Sequence, residues 1–304
     1  MKIINLNQDV LDALNFFIKN KPPKLDLGQF KMPFVVGSEG AYYTGQNLFY
    51  GRSAIHANET NFKAMIDAYR PIIENGMVSD AVIISASGEK DAIWEIDYAK
   101  RNGLKATLLT CSPESSGARI ADKVIIYKKI AEPYTYNFST YAGMMLSVTG
   151  EDPKKILKFL KGIKLPKNFS AYKFYSFVLP DQFEHICQMV TTKDEEMFGP
   201  RSMIRAFTEG RARHAKFVVR WDKELVIGAG VKNKYFGEPK ARWDVKLPAG
   251  ANIATVLAFC YFLVGKIQEI NPPYYKKSVE AYAKDYGPKA YGKDKPFDVI
   301  VPGN

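Results

Sequence analysis

The fold is decided by residues 81–91, which read Ala-Val-Ile-Ile-Ser-Ala-Ser-Gly-Glu-Lys-Asp. The apolar start is typical of a buried parallel strand, and residues 92–99 continue with the pattern of a helix. The turn between them carries Ser85 and Ser87 and opens a helix N-terminus, where backbone N–H groups attract anions. The same pattern also fits a plain strand–turn–helix connection in which serine caps the helix.

Strands and helices alternate around this stretch in the first half of the chain, which favours a parallel sheet covered by helices on both faces. The expected strands cover residues 34–36, 81–85, 105–110 and 124–127, and the expected helices cover residues 6–20, 61–74, 90–102 and 139–148. Ligands of such sheets bind beyond the carboxyl ends of the strands. Two of these ends carry residues 37–40 and 85–90, which therefore form the candidate site.

The second half of the chain predicts another α/β unit after a lysine-rich segment that begins at residue 153. We expect strands over 172–179, 216–220 and 224–227, the last two as a hairpin, and helices over 180–192 and 250–270. The division into domains is placed at 1–165 and 166–304. The tail after residue 273 is expected to cover a surface or a partner subunit.

Composition indicates a globular protein, with 46% hydrophobic and 25% charged residues among 304. No uncharged apolar stretch reaches the length of about 18 residues that a membrane span needs, and the N-terminus lacks the apolar core of a signal peptide. Cys111, Cys187 and Cys260 are far apart, which favours buried thiols in a reducing compartment. A cytoplasmic protein is therefore expected.

The formal net charge of +11 favours an anionic partner. The basic residues are scattered and do not form the pattern of a nucleic-acid-binding module, so a small anionic substrate is expected and nucleic acid is not. The three histidines are widely spaced and form no ligand pattern, so neither a metal nor another cofactor is expected.

Residues 83–89 closely resemble the Ile-Ser-x-Ser-Gly-Glu phosphate loop of the sugar isomerase (SIS) domain family. Three further segments resemble family segments in the same order: residues 103–110, residues 118–122 and the segment from Glu132 to Thr140. The resemblance covers about residues 30–150. It implies an α/β fold, a three-layer α-β-α sandwich with a five-stranded parallel, flavodoxin-like sheet, and suggests a second, diverged half.

The resemblance also implies that the loop holds the phosphate of a sugar. Two departures from the family pattern lie just before the helices of this site: Glu39 stands where the first loop has a glycine, and Lys90 stands where the second loop has threonine. In addition, Ala41 stands where the first loop has serine, so a hydroxyl that contacts the phosphate is missing there, and Tyr141 stands where many members have lysine. Lys90 either supplies a point charge to the phosphate or faces solvent. The expected phosphate and sugar site comprises Gly37, Glu39, Gly40, Ser85, Ser87, Gly88, Lys90, Ser139 and Thr140.

Residues 209–214 weakly resemble the Gly-Glu-Leu-Lys-His segment of glucosamine-6-phosphate synthases and related deglycases. This resemblance implies that His214 opens the sugar ring, with Glu196, or alternatively Glu195, as the catalytic base. The competing interpretation places His214 at a strand edge and both glutamates on a solvated helix face.

The expected function is therefore that of a phosphosugar-processing enzyme. An aldose–ketose isomerase and a deglycase or deaminase acting on an (amino)sugar phosphate both fit, because both reactions pass through an enediol or enolamine. The alternative is a non-catalytic, regulatory protein that binds sugar phosphates. On the resemblance, a homodimer or a higher homo-oligomer is expected.

Overall fold

The computed structural model describes residues 3–304, which divide into two units. The five-stranded unit contains residues 19–131, 139–150 and 302–304, and the four-stranded unit contains residues 3–18, 132–138 and 151–301. The strands are β1 Phe34–Val36, β2 Ile55–Ala57, β3 Asp80–Ile84, β4 Lys105–Thr110, β5 Lys123–Ile126, β6 Glu132–Pro133, β7 Phe174–Leu179, β8 Ile204–Thr208, β9 Glu224–Ala229, β10 Arg242–Val245 and β11 Ile300–Val301.

The helices are given in the same chain order. They are α1 Leu6–Lys19, α2 Gly40–Leu48, α3 Phe62–Ala68, α4 Arg70–Glu74, α5 Asp91–Arg101, α6 Ser116–Ile120, α7 Phe138–Thr149, α8 Pro153–Lys161, α9 Glu184–Phe198, α10 Glu209–Ala215, α11 Ile253–Ile270, α12 Tyr274–Lys284 and α13 Tyr286–Ala290. The division at 1–165 and 166–304 remains a prediction.

The five-stranded unit is built on a parallel sheet with the strand order β2-β1-β3-β4-β5. Alternate strand residues such as Val36 and Ile83 pack against α3 and α5 on one face. On the other face α2 approaches so closely that a side chain at Gly45 would overlap Val35 and press on Ile84. The predicted α/β fold, with a five-stranded parallel sheet between helices, is confirmed.

The four-stranded unit contains a second parallel sheet with the order β10-β9-β7-β8. In each sheet the first strand in sequence lies between the second and the third, and the fourth lies outside the third. The two sheets therefore share one winding order, and the second sheet lacks the fifth strand. A second α/β half is confirmed, and it is narrower than the first by one strand.

The hairpin expected over residues 216–220 and 224–227 is wrong. Residues 216–220 form turns and irregular chain, in which Val218 and Val219 are 80% and 82% exposed. The strand β9 instead lies parallel between β7 and β10. The outer position beside β7 is taken by β8, whose residues alternate between buried and half-buried. Two neighbouring valines favoured a strand, but no apolar partner covers them.

Helix α11 is the predicted apolar core helix. Its length and composition alone would allow it to cross a membrane, but 83% of its 18 residues are buried inside the structure, as in the core of a globular protein. The three cysteines are buried and form no disulfide, as predicted. Burial raises the pKa of the Cys187 thiol to about 12, so this thiol is held in its protonated form.

The tail after α11, as far as residue 301, packs on the four-stranded unit. Strand β11 pairs antiparallel with β6. The ring of Phe297 stacks on Tyr134 at a centroid distance of 5.4 Å, and Tyr282 lies 5.8 Å from the same ring. The tail therefore covers residues 132–138, in agreement with one of the two expected roles; a contact with a partner subunit remains a prediction.

Candidate functional site

The loop between β3 and α5 places both predicted serines beyond the carboxyl end of β3. The N–H of Ser85 still donates to the carbonyl of Leu109 at 3.0 Å, so pairing with β4 continues for one residue past β3. The Ser85 hydroxyl then accepts the N–H of Gly88 at 3.1 Å, and the Ser87 hydroxyl accepts the N–H of Glu89 at 3.3 Å. Ser85 is half-buried and Ser87 is exposed. The loop is therefore shaped by its own hydroxyls.

Gly88 is required by the close approach of the next loop. Its φ of +62° lies in the left-handed region, and a side chain at this position would overlap the Ser115 hydroxyl. The Gly88 carbonyl accepts the N–H of Gly117 at 2.9 Å, at the start of α6. Ser115 caps that helix by accepting the N–H of Ala118 at 3.3 Å. Gly88 thus acts through its backbone, which joins two loops at one edge of the sheet.

The carbonyl of Ala86 ties the loop to the end of β4. It accepts the N–H of Cys111 at 3.0 Å and the Thr110 hydroxyl at 3.1 Å, and the Ser112 hydroxyl lies at 3.5 Å. A side-chain bond adds to this connection, because the Ser116 N–H donates to Glu89 Oε1 at 2.9 Å. The loop is therefore held rigidly over the carboxyl edge of the sheet. Sequence reasoning missed this second loop, although its Ser-Pro-Glu-Ser-Ser run directly after a strand is a polar signal of the same kind.

Glu39 and Lys90 share an unusual backbone conformation at two neighbouring strand-to-helix turns. Glu39 precedes α2 with φ 45° and ψ −117°, and Lys90 precedes α5 with φ 57° and ψ −121°. A residue other than glycine in this region costs on the order of 1–3 kcal/mol, and such strain concentrates at functional sites. The strands that lead into the two turns, β1 and β3, are paired neighbours. The two departures from the family pattern therefore lie at adjacent, strained turns of one edge.

The glycines of the first loop are set by packing. A side chain at Gly37 would lie 3.0 Å from Ala41, and one at Gly40 would lie 2.8 Å from the ring of Tyr141. Tyr141 lies in the first turns of α7, so this helix also reaches the carboxyl edge of the sheet. Gly37 and Gly40 allow the backbone to turn into α2 under that ring.

Ser139 and Thr140 lie in the first turn of α7 and are fully buried. The Cys111 thiol lies 3.8 Å from the Thr140 hydroxyl. Because the Cys111 N–H also bonds to Ala86, Thr140 is connected to the serine loop through one residue. Both side chains are therefore closed off from solvent inside the five-stranded unit. Their contact with a phosphate remains a prediction.

One buried acid, Glu95, lies one turn after the start of α5. Glu95 is 2% exposed, and its pKa is raised to about 8, first by burial and then by the charges of Asp91 and Glu59. Glu59 follows the carboxyl end of β2. At neutral pH Glu95 is therefore mostly uncharged, which lowers the negative charge beside the serine loop.

The candidate base Glu196 lies near the end of α9 in the four-stranded unit. Its carboxylate is paired with the ammonium of Lys193, which is one turn earlier and 4% exposed at its side chain. Lys193 also donates to the carbonyl of Thr135 at 2.5 Å, and it lies 5.4 Å from the ring centroid of Tyr261. Glu196 is half-buried, and the alternative base Glu195 is exposed. Of the two glutamates, only Glu196 has its carboxylate fixed in an internal cluster.

Two further buried acids face Lys193, and sequence reasoning missed one of them. Asp9 is fully buried, and Glu132 is 1% exposed. The pKa of Asp9 is raised well above its usual range by burial and by the neighbouring Glu132, while the charge of Lys193 acts in the opposite direction. Asp9 is therefore protonated more readily than an exposed aspartate. The pattern gave no signal for Asp9, because its partners are more than 120 residues away in sequence.

His214 lies in the last turn of α10 and is exposed. It does not form a cluster with Glu196 in the unit. The connection from β7 to β8 and the connection from β8 to β9 run in opposite directions across the sheet, so right-handed crossovers place α9 and α10 on opposite faces. The core supports this, because Ala212 of α10 packs on Val178 and Val226. The two predicted catalytic residues are therefore separated by the sheet.

Comparison with known proteins shows the fold. No protein-family model and no curated protein sequence matches the chain. The C-terminal domain of glucosamine-fructose-6-phosphate aminotransferase from Francisella tularensis is similar in structure, with a TM-score of 0.60 and 13% identity over 87% of this chain and 95% of that one. At this identity the likeness concerns the fold alone.

Two further solved structures give the same picture. A glucosamine-6-phosphate deaminase from Thermotoga maritima has a TM-score of 0.53 and 14% identity over 88% of this chain and 93% of that one. The tagatose-6-phosphate ketose/aldose isomerase from Escherichia coli has a TM-score of 0.53 and 12% identity over 88% of this chain and 89% of that one. The chain thus has the fold of phosphosugar isomerases and deaminases, as the SIS resemblance implied.

Proposed function

We propose that the chain binds a sugar phosphate at the loop of residues 85–90 and isomerises or deaminates it through an enediol or enolamine. The serine loop over the carboxyl edge of the five-stranded sheet carries this proposal. The structures that share the fold are named for glucosamine 6-phosphate, fructose 6-phosphate and tagatose 6-phosphate chemistry. They support the class of ligand, and the loop supports its position.

The loop geometry suits a phosphate because each serine hydroxyl keeps a free donor. A hydroxyl has one O–H donor and two acceptor lone pairs. Ser85 and Ser87 use an acceptor position for the N–H groups of Gly88 and Glu89, so both O–H groups can donate to phosphate oxygens without a change of the loop. The 11-residue helix α5 begins directly after Lys90, and its N-terminal dipole adds to the attraction.

The proton transfer is assigned to Glu196. Aldose–ketose isomerisation moves a proton between C1 and C2, and a positioned carboxylate accelerates such a step about 10²–10⁴-fold. The ion pair with Lys193 fixes the orientation of this carboxylate. His214 is assigned to ring opening; because it lies on the opposite face of the sheet from α9, we propose that it serves a site completed by a second copy of the chain.

A regulatory, non-catalytic sugar-phosphate binder is the second candidate. The separation of Glu196 from His214 supports it, because one chain does not bring the two predicted catalytic groups together. In that case the serine loop would bind the ligand and no proton would move.

A thermal-shift measurement tests the binding site. Glucosamine 6-phosphate and fructose 6-phosphate are expected to raise Tm, since ligands of the native state stabilise it, while glucosamine without phosphate is not. Ser87→Ala should weaken sugar-phosphate binding about tenfold through loss of a charge-assisted hydrogen bond. Ser79→Ala, which removes an exposed hydroxyl bonded to Asp80, is the matched control. Equal Tm shifts for Ser87→Ala and the parent would refute the assigned site.

Hydrogen–deuterium exchange then separates the two functions. Incubation of fructose 6-phosphate or glucosamine 6-phosphate with the protein in D₂O is expected to introduce deuterium at C1 or C2, which NMR detects. Glu196→Gln should abolish the exchange and retain the Tm shift. Tm shifts without any exchange in the parent protein would favour the regulatory candidate.

A further inference from the structure

The outer edge of the four-stranded sheet is open along β10. This strand pairs with β9 and is the last strand of its sheet. In the five-stranded sheet the strand at the same place in the winding order, β4, is flanked by β5 through pairs from Thr107↔Lys123 to Thr110↔Ile126. After β10 the chain runs through residues 246–252 directly into α11. Within residues 3–304 no strand fills the fifth position.

A groove lies where the fifth strand is missing. Its cavity volume is about 610 Å³, and it is bounded by consecutive β10 residues on one side and by α8 with residues 162–164 on the other. Phe159 and Trp243 are the aromatic residues of its apolar surface, which also includes Ile163, Val245 and Pro248. Phe159 stacks on Phe259 with centroids 5.9 Å apart, and Trp243 contacts the edge of Phe169. These contacts fix both rings, so the apolar part of the groove is preformed.

The rim of the groove is strongly basic. Four exposed lysines line it: Lys155, Lys158, Lys164 and Lys246. The one acidic residue in the lining, Asp244, has a carboxylate oxygen that accepts the N–H of Asn233 at 3.2 Å in the connection between β9 and β10. The groove therefore combines an unpaired strand edge, two aromatic rings and positive charge.

We propose that this groove binds an extended, acidic peptide segment of a partner protein, which pairs with β10 as the fifth strand of the sheet. An exposed sheet edge recognises a peptide through its backbone, while alternate side chains fill pockets. Successive side chains of an extended peptide point to opposite sides, so apolar residues would face Phe159 and Trp243 while the acidic residues between them meet the lysines. The charge of the rim favours acidic over basic segments.

Peptide binding to the full chain tests the proposal. The probe is a fluorescein-labelled heptapeptide, Asp-Val-Glu-Val-Asp-Val-Glu, measured by fluorescence anisotropy, and the comparison peptide has lysine at every acidic position. The acidic peptide is expected to bind and the basic one is not. Two N-methylated versions, each methylated at alternate amides, are expected to differ at least about tenfold in Kd, because only one set of amides faces β10.

Charge reversal on α8 supplies matched variants. Lys155→Glu with Lys158→Glu reverses two lysines of the groove, while Lys154→Glu with Lys161→Glu reverses two exposed lysines of the same helix that do not line it. The first pair should weaken acidic-peptide binding at least about tenfold, and the second pair no more than about twofold. The circular dichroism spectrum of both double variants should match that of the parent.

Several results would overturn the proposal. These are the absence of acidic-peptide binding at millimolar concentration, equal affinity of the two N-methylated peptides, and equal effects of the two charge reversals. Sedimentation of the chain alone tests whether a second copy of the chain occupies the groove instead. If the parent self-associates and the Lys155→Glu, Lys158→Glu variant is monomeric, the groove binds a second copy and the proposal of a partner peptide is refuted.

Discussion

The loops after β3 and after β9 occupy the same place in their two sheets but have different contents. The first contains Ser85 and Ser87 and leads into the 11-residue helix α5. The second runs from Gly230 into a buried Asn233, whose side chain accepts the N–H groups of Tyr235 and Phe236 and donates to the Phe236 carbonyl at 2.9 Å. No α-helix lies between β9 and β10 in the described chain.

The difference shows that two sheets with the same strand order can differ in function: one sheet has a candidate ligand site at this loop, and the other does not. In the first loop the hydroxyls that shape the turn keep donors for a ligand, and a helix N-terminus adds positive potential. In the second loop the one buried polar side chain is satisfied by its own turn. We therefore expect sugar phosphate to bind only at the loop after β3.

Alanine at the glycine of each loop gives the largest effect. Gly88→Ala should lower the free energy of unfolding by about 3 kcal/mol, because the new methyl group meets the Ser115 hydroxyl at a φ of +62°. It should also abolish the Tm shift with glucosamine 6-phosphate. Urea denaturation and thermal shift measure the two effects.

Gly230→Ala is the control for this prediction. Its φ is +76°, and the added Cβ would lie 2.7 Å from the flexible end of Leu247, so a smaller loss of about 1–2 kcal/mol is expected. The Tm shift with glucosamine 6-phosphate should remain. Loss of that shift in Gly230→Ala, or its survival in Gly88→Ala, would contradict the comparison between the loops.

The fold of the five-stranded unit was predictable because its signals are local. Residues 81–91 contain a whole strand, its turn and the start of a helix in sequence, and the strand at 105–110 contains the apolar residues Ala106, Leu108 and Leu109. The core helix α11 was predictable for the same reason, since 18 residues carry one uninterrupted pattern. The positions of the serines in the candidate site follow from the same stretch.

The missed elements depend on contacts that are distant in sequence. The strands β2, β8 and β10 are three to five residues long, and pairing with a neighbour defines them more than their own pattern does. The cluster of Asp9, Glu132 and Lys193 joins three parts of the chain that are separated by at least 60 residues. No local periodicity indicates such a cluster, and the strained φ of Glu39 and Lys90 is equally invisible before folding.

The helix that follows the loop after β3, α5, contains the buried acid Glu95. The pKa of Glu95 is about 8 in the folded chain, whereas the ordinary value of 4.5 applies in the unfolded chain. Between these values the unfolded chain releases the proton and the folded chain keeps it, so stability falls as pH rises from about 4.5 to 8 and levels off above. Glu95→Gln should remove this loss, with a gain on the order of 3 kcal/mol at pH 9.

Urea denaturation of the parent and of Glu95→Gln at pH 5, 7 and 9 measures this effect. The gain should be near zero at pH 5 and grow towards pH 9. Asp91→Asn, an exchange at a neighbouring acid that raises the Glu95 pKa, should give a smaller gain over the same range. A difference between Glu95→Gln and the parent that does not change with pH would show that Glu95 is not held protonated.

The smallest expected effect concerns the strained residue before α5. Lys90 has φ 57° and ψ −121°, a region that glycine enters freely. Lys90→Gly should therefore raise the free energy of unfolding by about 1 kcal/mol, the reverse of the usual effect of glycine before a helix. If the ammonium contacts the phosphate, Lys90→Gly and Lys90→Gln should both weaken sugar-phosphate binding several-fold, while only the glycine variant gains stability.

The two variants separate the two roles of Lys90, because Lys90→Gln removes the charge and keeps the strained backbone. Unchanged sugar-phosphate binding in both variants would show that the ammonium does not contact the phosphate. A lower free energy of unfolding for Lys90→Gly would show that the turn is not strained.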